Sequence, residues 1–245
     1  MDISISHYTA IGKRKTNEDS HAILESEVSL LAIVADGLGG LTGGEIASRQ
    51  AIGTLHKLLL NKTPDEELLV DAIRQAGSDI YQLQTNGQLM CTTVSVIWMG
   101  NNGVLAANVG DTRIYQFRDG RIIYQSVDHS VAQMSVFVGE LEQSQVRTSK
   151  DRNTLTRVLG DARPPRVDVC RLNVRAGDRF LICSDGFWEP VTEEAMIRAM
   201  LSSDSVDRWL SQMRRIVEEA GNPKQDNHTA IAIAINQISN ERSIP

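Results

Sequence analysis

Long apolar runs are missing from this 245-residue sequence: the longest, Leu30 to Ala35 and Ala230 to Ile235, span six residues each, far short of the ~20 that a helix needs to cross a bilayer. That excludes a membrane-spanning helix. Aromatics are scarce at 4%, and 25 basic residues against 31 acidic ones leave a formal charge of -6. The sequence therefore offers neither a phosphate-neutralising surface nor many stacking platforms, and nucleic acid is excluded as the main partner. The three cysteines, at 91, 170 and 183, cannot all pair, and each lies in a stretch that reads as a strand, so a reduced, cytoplasmic compartment is the default. Six prolines are spread over the whole length, with no linker, low-complexity tract or repeat of fixed period, and one domain over 1–245 is expected. The first fifteen residues carry their basic side chains after the apolar ones and have no long apolar centre, which does not read as a secretory signal.

What is present is a mixture of strand and helix patterns. Ser29 to Ala35 is a continuous aliphatic run ended by Asp36-Gly37, the mark of a strand buried on both faces. A helical spacing follows from Gly43 to Leu60, and Thr63-Pro64-Asp65-Glu66 reads as a capping box with proline at the first helical position. The middle is β-rich, with strands expected at Cys91 to Met99, Val104 to Val109, Thr112 to Phe117 and Arg121 to Val127. A short helix after His129, an irregular stretch around Gly139 to Lys150 and a helical piece at Thr154 to Leu159 precede strands at Val167 to Asn173 and Arg179 to Cys183. Helices are expected at Thr192 to Leu201 and Asp204 to Ala220, with Gly221 as the stop of the second. The last strand, Thr229 to Ile235, alternates small residues with isoleucine. Paired helices flanking antiparallel runs favour an α+β fold in which helices pack on the outer faces of antiparallel sheets.

Short acidic motifs recur at element ends: Asn17-Glu18-Asp19, Asp36-Gly37-Leu38-Gly39-Gly40, Asp185-Gly186 and Asp226-Asn227. Singly, each reads first as a turn. Jointly they differ, because Asp36 and Asp185 both end apolar strands and Asp226 directly precedes one. Gathered carboxylates repel one another and raise their own pKa values unless a cation sits among them. Oxygen-only ligands suit Mg²⁺ or Mn²⁺ rather than zinc. A glycine after the aspartate lets a backbone carbonyl approach the same ion. Two such ions, about 4 Å apart, would activate water and clamp a phosphoryl group for in-line attack. Arg14, five residues before Asp19, has the planar fork that suits two phosphate oxygens.

Arg14-x-x-Asn17-Glu18-Asp19, Asp36-Gly37-x-Gly39-Gly40, Gly110-Asp111-Thr112-Arg113, Asp128-His129-Ser130, Leu155-Thr156-Arg157-x-Leu159-Gly160, Ser184-Asp185-Gly186 and Asp226-Asn227-x-Thr229 run over nearly the whole chain. In order and spacing this series resembles the metal-dependent protein phosphatases, the type 2C serine/threonine family, in the form of a bacterial stand-alone catalytic domain. The resemblance implies a four-layer αββα sandwich of two antiparallel β-sheets flanked by helices, with a site for two Mn²⁺ or Mg²⁺ at one end. It makes Asp36 the bridging carboxylate and Gly37 a carbonyl ligand, with Asp185 and Asp226 on one ion. Glu18 or Asp19 would act on the other mainly through waters, Arg14 would bind the substrate phosphate, and Asp111 would help hold a third, weaker metal. Residues 138–150 would form a flap that influences substrate choice. Phosphorylated proteins are the implied substrates and a serine/threonine kinase the implied counterpart, in secretion, envelope or sporulation control alike.

This sequence departs from the family in two places. Leu38 stands where many relatives carry a histidine proposed as general acid, leaving His129 and His228 as candidates by motif position, each with a structural hydrogen bond as the plainer reading. Thr148-Ser149-Lys150-Asp151 lacks the His-Pro pair frequent in this region. A nucleotide-binding loop at Gly37 to Gly44 fails, because Thr42 falls where the last glycine belongs and Glu45 where a lysine is required. Two other readings stay open: a catalytically silent regulatory or binding module, and a phosphomonoesterase for small molecules. No heptad run appears, so a monomer is the default.

Overall fold

Isoleucine and alanine alternate along the last strand, and this alternation organises the whole molecule. In the computed structural model, which describes residues 1–38, 43–85 and 89–238, that strand lies inside one of two antiparallel sheets. The elements run β1 (Asp2–Ala10), β2 (Asp19–Glu25), β3 (Ser29–Leu38), α1 (Gly43–Leu59), α2 (Glu66–Leu83), β4 (Cys91–Thr92), β5 (Val94–Gly100), β6 (Gly103–Val109), β7 (Arg113–Arg118) and β8 (Arg121–Gln125). They continue with α3 (Val131–Phe137), β9 (Asp168–Leu172), β10 (Arg179–Cys183), α4 (Asp185–Trp188), α5 (Glu193–Leu201), α6 (Val206–Glu219) and β11 (His228–Gln237). One sheet has the order β1-β11-β10-β7-β8 and the other β2-β3-β5-β6-β9, with β4 joined to β3.

Each face of the sheets has its own core. Ile231, Ile233 and Ile235 of β11 meet Ala32, Val34 and Ile97 of the other sheet between the two layers. Ala230 and Ala232 face the opposite way, and their small side chains let Trp209, Met213 and Val217 of α6 pack closely. The outer face of the second sheet buries Ile33, Val96 and Trp98 against Leu55 and Leu59 of α1 and Ile73 and Ile80 of α2. Burying an isoleucine or leucine in this way stabilises the fold by about 1.5–3 kcal/mol. The outcome is the expected four-layer αββα sandwich.

Local chemistry corrects several expectations. The second helix begins at Glu66, not Pro64: Asp65 is extended and its carboxylate accepts the Leu68 N–H, so the cap lies two residues beyond Thr63. Thr154 to Leu159 is not helical. Leu155 bridges Ser130 and Leu159 bridges Thr92, so the segment is held extended by partners remote in sequence. β1 and β2 also escaped the sequence reading, because each is an edge strand fixed by one neighbour, β1 by β11 and β2 by β3. Within the irregular stretch, residues 143–148 form a 3₁₀ turn.

Candidate active site

Register places the first two carboxylates. In the β2–β3 ladder Asp19 is the direct partner of Asp36, so two acids separated by a hairpin meet at one end of the sheet. Asp36 is fixed from the far side: its N–H donates to Thr93 Oγ1 at 3.0 Å, and its carbonyl accepts from Thr93 N–H and Thr92 Oγ1, both at 2.8 Å. The strand therefore ends centrally, with paired strands on both sides, and not at a free edge. Asp185 opens α4 directly after β10, and Asp226 lies just ahead of β11. Asp111 follows the Gly110 turn after β6, and its carbonyl accepts the Trp188 indole N–H at 2.9 Å.

Asp19 and Asp185 are buried, at 7% and 8% exposure, and Asp111 is at 3%, whereas Asp36, Glu18 and Asp226 are half-buried. Ser184 donates its hydroxyl to Asp19 Oδ2 at 2.7 Å and accepts the Thr229 N–H at 3.0 Å. The other Asp19 oxygen, Oδ1, is buried with no hydrogen-bond partner. A buried acceptor left unmatched costs about 1–3 kcal/mol, more when charged, so this oxygen points to a missing cationic or donor group. Arg14 donates to the Asp226 carboxylate while its own side chain stays 57% exposed.

Burial, and then mutual repulsion, sets the proton affinities. Asp36 is held well above the ordinary carboxylate range by desolvation and then by Asp19, Asp185, Asp111 and Asp226. Asp185 is raised likewise, by burial and then by Asp111, Asp226, Glu189 and Asp19. Burial pushes Asp19 up to about 6 and Asp111 up to about 7, and raises Glu18. The carboxylates thus act on one another, although among the described residues no three His, Cys, Asp or Glu groups form a finished metal cage. The donor set is all oxygen, which fits Mg²⁺ or Mn²⁺, and the unmatched Asp19 oxygen and the mutual repulsion both favour a cation among these side chains.

A pH dependence follows. Groups whose proton affinity is higher folded than unfolded favour the fold while protonated, and they withdraw that support as pH rises from about 4 through their folded values. The metal-free protein is therefore expected to lose thermal stability from these aspartates up to about pH 7, with Mn²⁺ restoring progressively more of it over the same window. His21, His129 and His228 are lowered, chiefly by burial, and drive an opposite trend that is common to both conditions. Melting curves in chelator and in Mn²⁺ across this range check the difference, and a metal-induced shift that stays flat with pH counts against it.

Gly37 has a second constraint besides its carbonyl. A Cβ there would lie 2.2 Å from the Gly44 carbonyl oxygen and 2.7 Å from that of Glu18, both backbone atoms that cannot swing aside. Gly37→Ala is expected to cost about 3 kcal/mol in urea unfolding, and a loss below about 1 kcal/mol would show that the α1 entrance yields. Gly39 and Gly40 lie outside the described residues.

Other partners were not legible in sequence. Asn227 accepts the Glu18 N–H through Oδ1 at 2.8 Å and donates through Nδ2 to the carbonyls of Ile11 and Thr16, at 2.8 and 3.0 Å, tying the 11–18 loop to the entrance of β11. The two histidines are already engaged. His129 Nδ1 accepts the Gly110 N–H at 3.0 Å, and its Nε2 lies 3.2 Å from Asp168 and 3.0 Å from Arg157 Nη1, while His228 Nδ1 bonds the Tyr8 hydroxyl. The 138–150 segment is tethered as well, through Arg147 to Glu193 at 2.7 Å and to the Glu189 carbonyl at 3.0 Å, with Arg152 on the Glu189 carboxylate.

With this geometry in hand, comparison with known proteins is decisive for the family. A family model described as Protein phosphatase 2C matches residues 8–229. The chain belongs to that family. Among protein phosphatase 2C relatives, the serine/threonine protein phosphatase PstP of Mycobacterium tuberculosis is 31% identical over 89% of this chain. The chain spans 42% of that relative's length. The serine/threonine phosphatase stp of Listeria innocua is 28% identical, with 94% of each covered. A solved catalytic domain of a PstP phosphatase in complex with two manganese ions superposes with a TM-score of 0.80 at 27% identity, covering 96% of this chain and 99% of that one. No helix of the described residues is long and apolar enough to cross a membrane.

Proposed function

We propose that this type 2C chain hydrolyses phosphoserine and phosphothreonine in proteins with the help of divalent cations. The observation that carries the reading is the unmatched, buried Asp19 oxygen beside Asp36 and Asp185, whose proton affinities burial and the neighbouring aspartates raise. Asp36, the Gly37 carbonyl, Asp185 and Asp226 would hold two Mn²⁺ or Mg²⁺, with Glu18 and Asp19 contributing through waters and Asp111 serving a third, weaker ion. When bound, such ions lower the pKa of water and offset phosphoryl charge.

The chain's own residues supply position. Thr92 and Thr93 hold the Asp36 backbone and Ser184 holds the Asp19 carboxylate, so both side chains project from paired elements of the sheet. Arg14 pairs with the Asp226 carboxylate. The planar fork of Arg14 would suit two phosphoryl oxygens, leaving the third face open to in-line attack, in a site where Asp226 would help hold a cation. His129 and His228 serve as structural ties, so leaving-group protonation does not fall to either. Residues 1–245 would work as one catalytic domain, monomeric, acting on phosphorylated proteins and opposing a serine/threonine kinase.

The test is hydrolysis of phosphoserine, phosphothreonine and phosphotyrosine peptides and of a small phosphomonoester, with Mn²⁺, Mg²⁺ or chelator. Release of phosphate from the first two peptides in Mn²⁺, abolished by chelator, is the expected result. Turnover of the small ester alone would favour the small-molecule reading. Complete silence toward every substrate would make the chain a binding module.

A further inference from the structure

The basic residues around the candidate site divide into two kinds. The guanidiniums are committed: Arg14 to Asp226, Arg147 to Glu193 and Arg152 to Glu189. The ammoniums are not. The chain has six lysines, and four of them, Lys13, Lys15, Lys150 and Lys224, are exposed on the loops that border the site. Among the described residues none of these four makes a salt bridge to a carboxylate.

Their placement is fixed by backbone contacts. The Lys13 N–H donates to the Gln225 carbonyl at 2.9 Å, and the Lys224 N–H to Asn222 Oδ1 at 2.9 Å. The Gly12 backbone abuts the Asp226 carbonyl, which leaves no room for a Cβ. A cleft of about 490 Å³ opens on this side, lined by Ile11, Lys13, Glu218, Asn222, Gln225 and His228 among others. Its one carboxylate, Glu218, is neutralised by Arg214 at 2.8 Å. Lys13 is the basic residue of the lining, and Lys15, two residues along its loop, and Lys224, next to Gln225, flank it, on a chain whose net charge of -6 works against an anionic substrate at long range.

We propose that Lys13, Lys15 and Lys224 form a selector for anionic segments, seating an acidic or second phosphorylated side chain beside the phosphoresidue under attack. The inference rests on the phosphatase reading above. Lysine suits the task because a flexible, strongly hydrated point charge accepts carboxylate or phosphate in many poses, whereas paired arginines fix one geometry. The shared chemistry is negative charge a few residues from the phosphothreonine.

The test compares three peptides built around one phosphothreonine: a neutral flank, an aspartate flank and a second phosphothreonine. kcat/KM is measured in Mn²⁺ at low and high salt for the parent and for the triple variant Lys13→Ala, Lys15→Ala, Lys224→Ala. In the parent the anionic flanks are expected to be favoured by about ten-fold at low salt, with the advantage fading at about 0.5 M salt as the charges are screened. The triple variant should lose the preference while keeping the neutral-peptide rate and the melting temperature. Preference for both anionic flanks assigns the selector to charge, and preference for the second phosphate alone assigns it to doubly phosphorylated segments. Equal rates on all three flanks in the parent, or a preference that survives in the triple variant, overturns the selector. Silence of the parent toward all three peptides strikes the phosphatase reading itself.

Discussion

Asp185→Asn is expected to lower kcat/KM for a phosphothreonine peptide in Mn²⁺ by about a thousand-fold or more, the equivalent of roughly 4 kcal/mol of transition-state stabilisation. The side chain opens α4 directly after β10, is 8% exposed, and faces the repulsion of Asp111, Asp226, Glu189 and Asp19. An amide of the same shape cannot carry the charge that a cation requires, yet it removes the repulsion. The variant should therefore fold, and in chelator it should melt at or above the parent's temperature. Added Mn²⁺ should raise the melting temperature of the parent and much less that of the variant. Equal turnover by the two proteins would remove Asp185 from the mechanism, and a lower melting temperature in chelator would show that its carboxylate supports the fold.

Arg113→Met is expected to destabilise the protein by about 3–5 kcal/mol, because it strands Asp128 as an unpaired buried charge. Arg113 and Asp128 side chains are each 3% exposed. Nε and Nη2 of the guanidinium grip the two carboxylate oxygens at 2.8 and 2.7 Å. Nη1 reaches the Tyr115 hydroxyl at 3.1 Å and Glu193 at 3.3 Å. The plane also stacks 3.5 Å over the Trp188 ring, the indole that holds the Asp111 carbonyl. For a domain of this size the melting temperature should fall by about 10 °C. Pairing the substitution with Asp128→Leu should recover part of the loss, since removing both charges leaves nothing unpaired. A fall below about 1 kcal/mol for the single variant would mean that water reaches Asp128 and the pair is not truly buried.

The same pair shows how far a sequence can be read. Gly110-Asp111-Thr112-Arg113 and Asp128-His129-Ser130 were visible as motifs, but nothing in either string shows that Arg113 clamps Asp128 or that His129 pins the Gly110 turn; those contacts arise from folding. The aspartates of the candidate site were legible because each sits where an apolar run stops or starts, a local signal. Their supports, Thr92 and Thr93 on Asp36 and Ser184 on Asp19, were not, because a threonine in a strand looks the same with or without such a partner. Of the fold, β3, β5, β6, β10, β11 and the long helices were readable from periodicity. The small and bulky faces of β11 turned against α6 and the opposite sheet as the alternation required. β1 and β2 were missed although Asp2 to Ala10 alternates isoleucine with polar residues, since a lone edge strand has no flanking turn chemistry to frame it. The extended segment before Leu159 was mistaken for helix because its bridges to Ser130 and Thr92 outweigh its local preference.

Asn227 binds the loop of residues 11–18, and β11 sits between β1 and β10, so the last strand completes both the first sheet and the proposed catalytic pocket. A chain emerging from the ribosome has its opening carboxylates long before the strand that locks them in place. Until that strand arrives, β1 lacks its ladder partner and the 11–18 loop lacks its ties to Asn227, while Ser48 and the Gly37 N–H already hold the Glu18 carbonyl. Pairing of β11 therefore couples the proposed pocket to the closing of the first sheet.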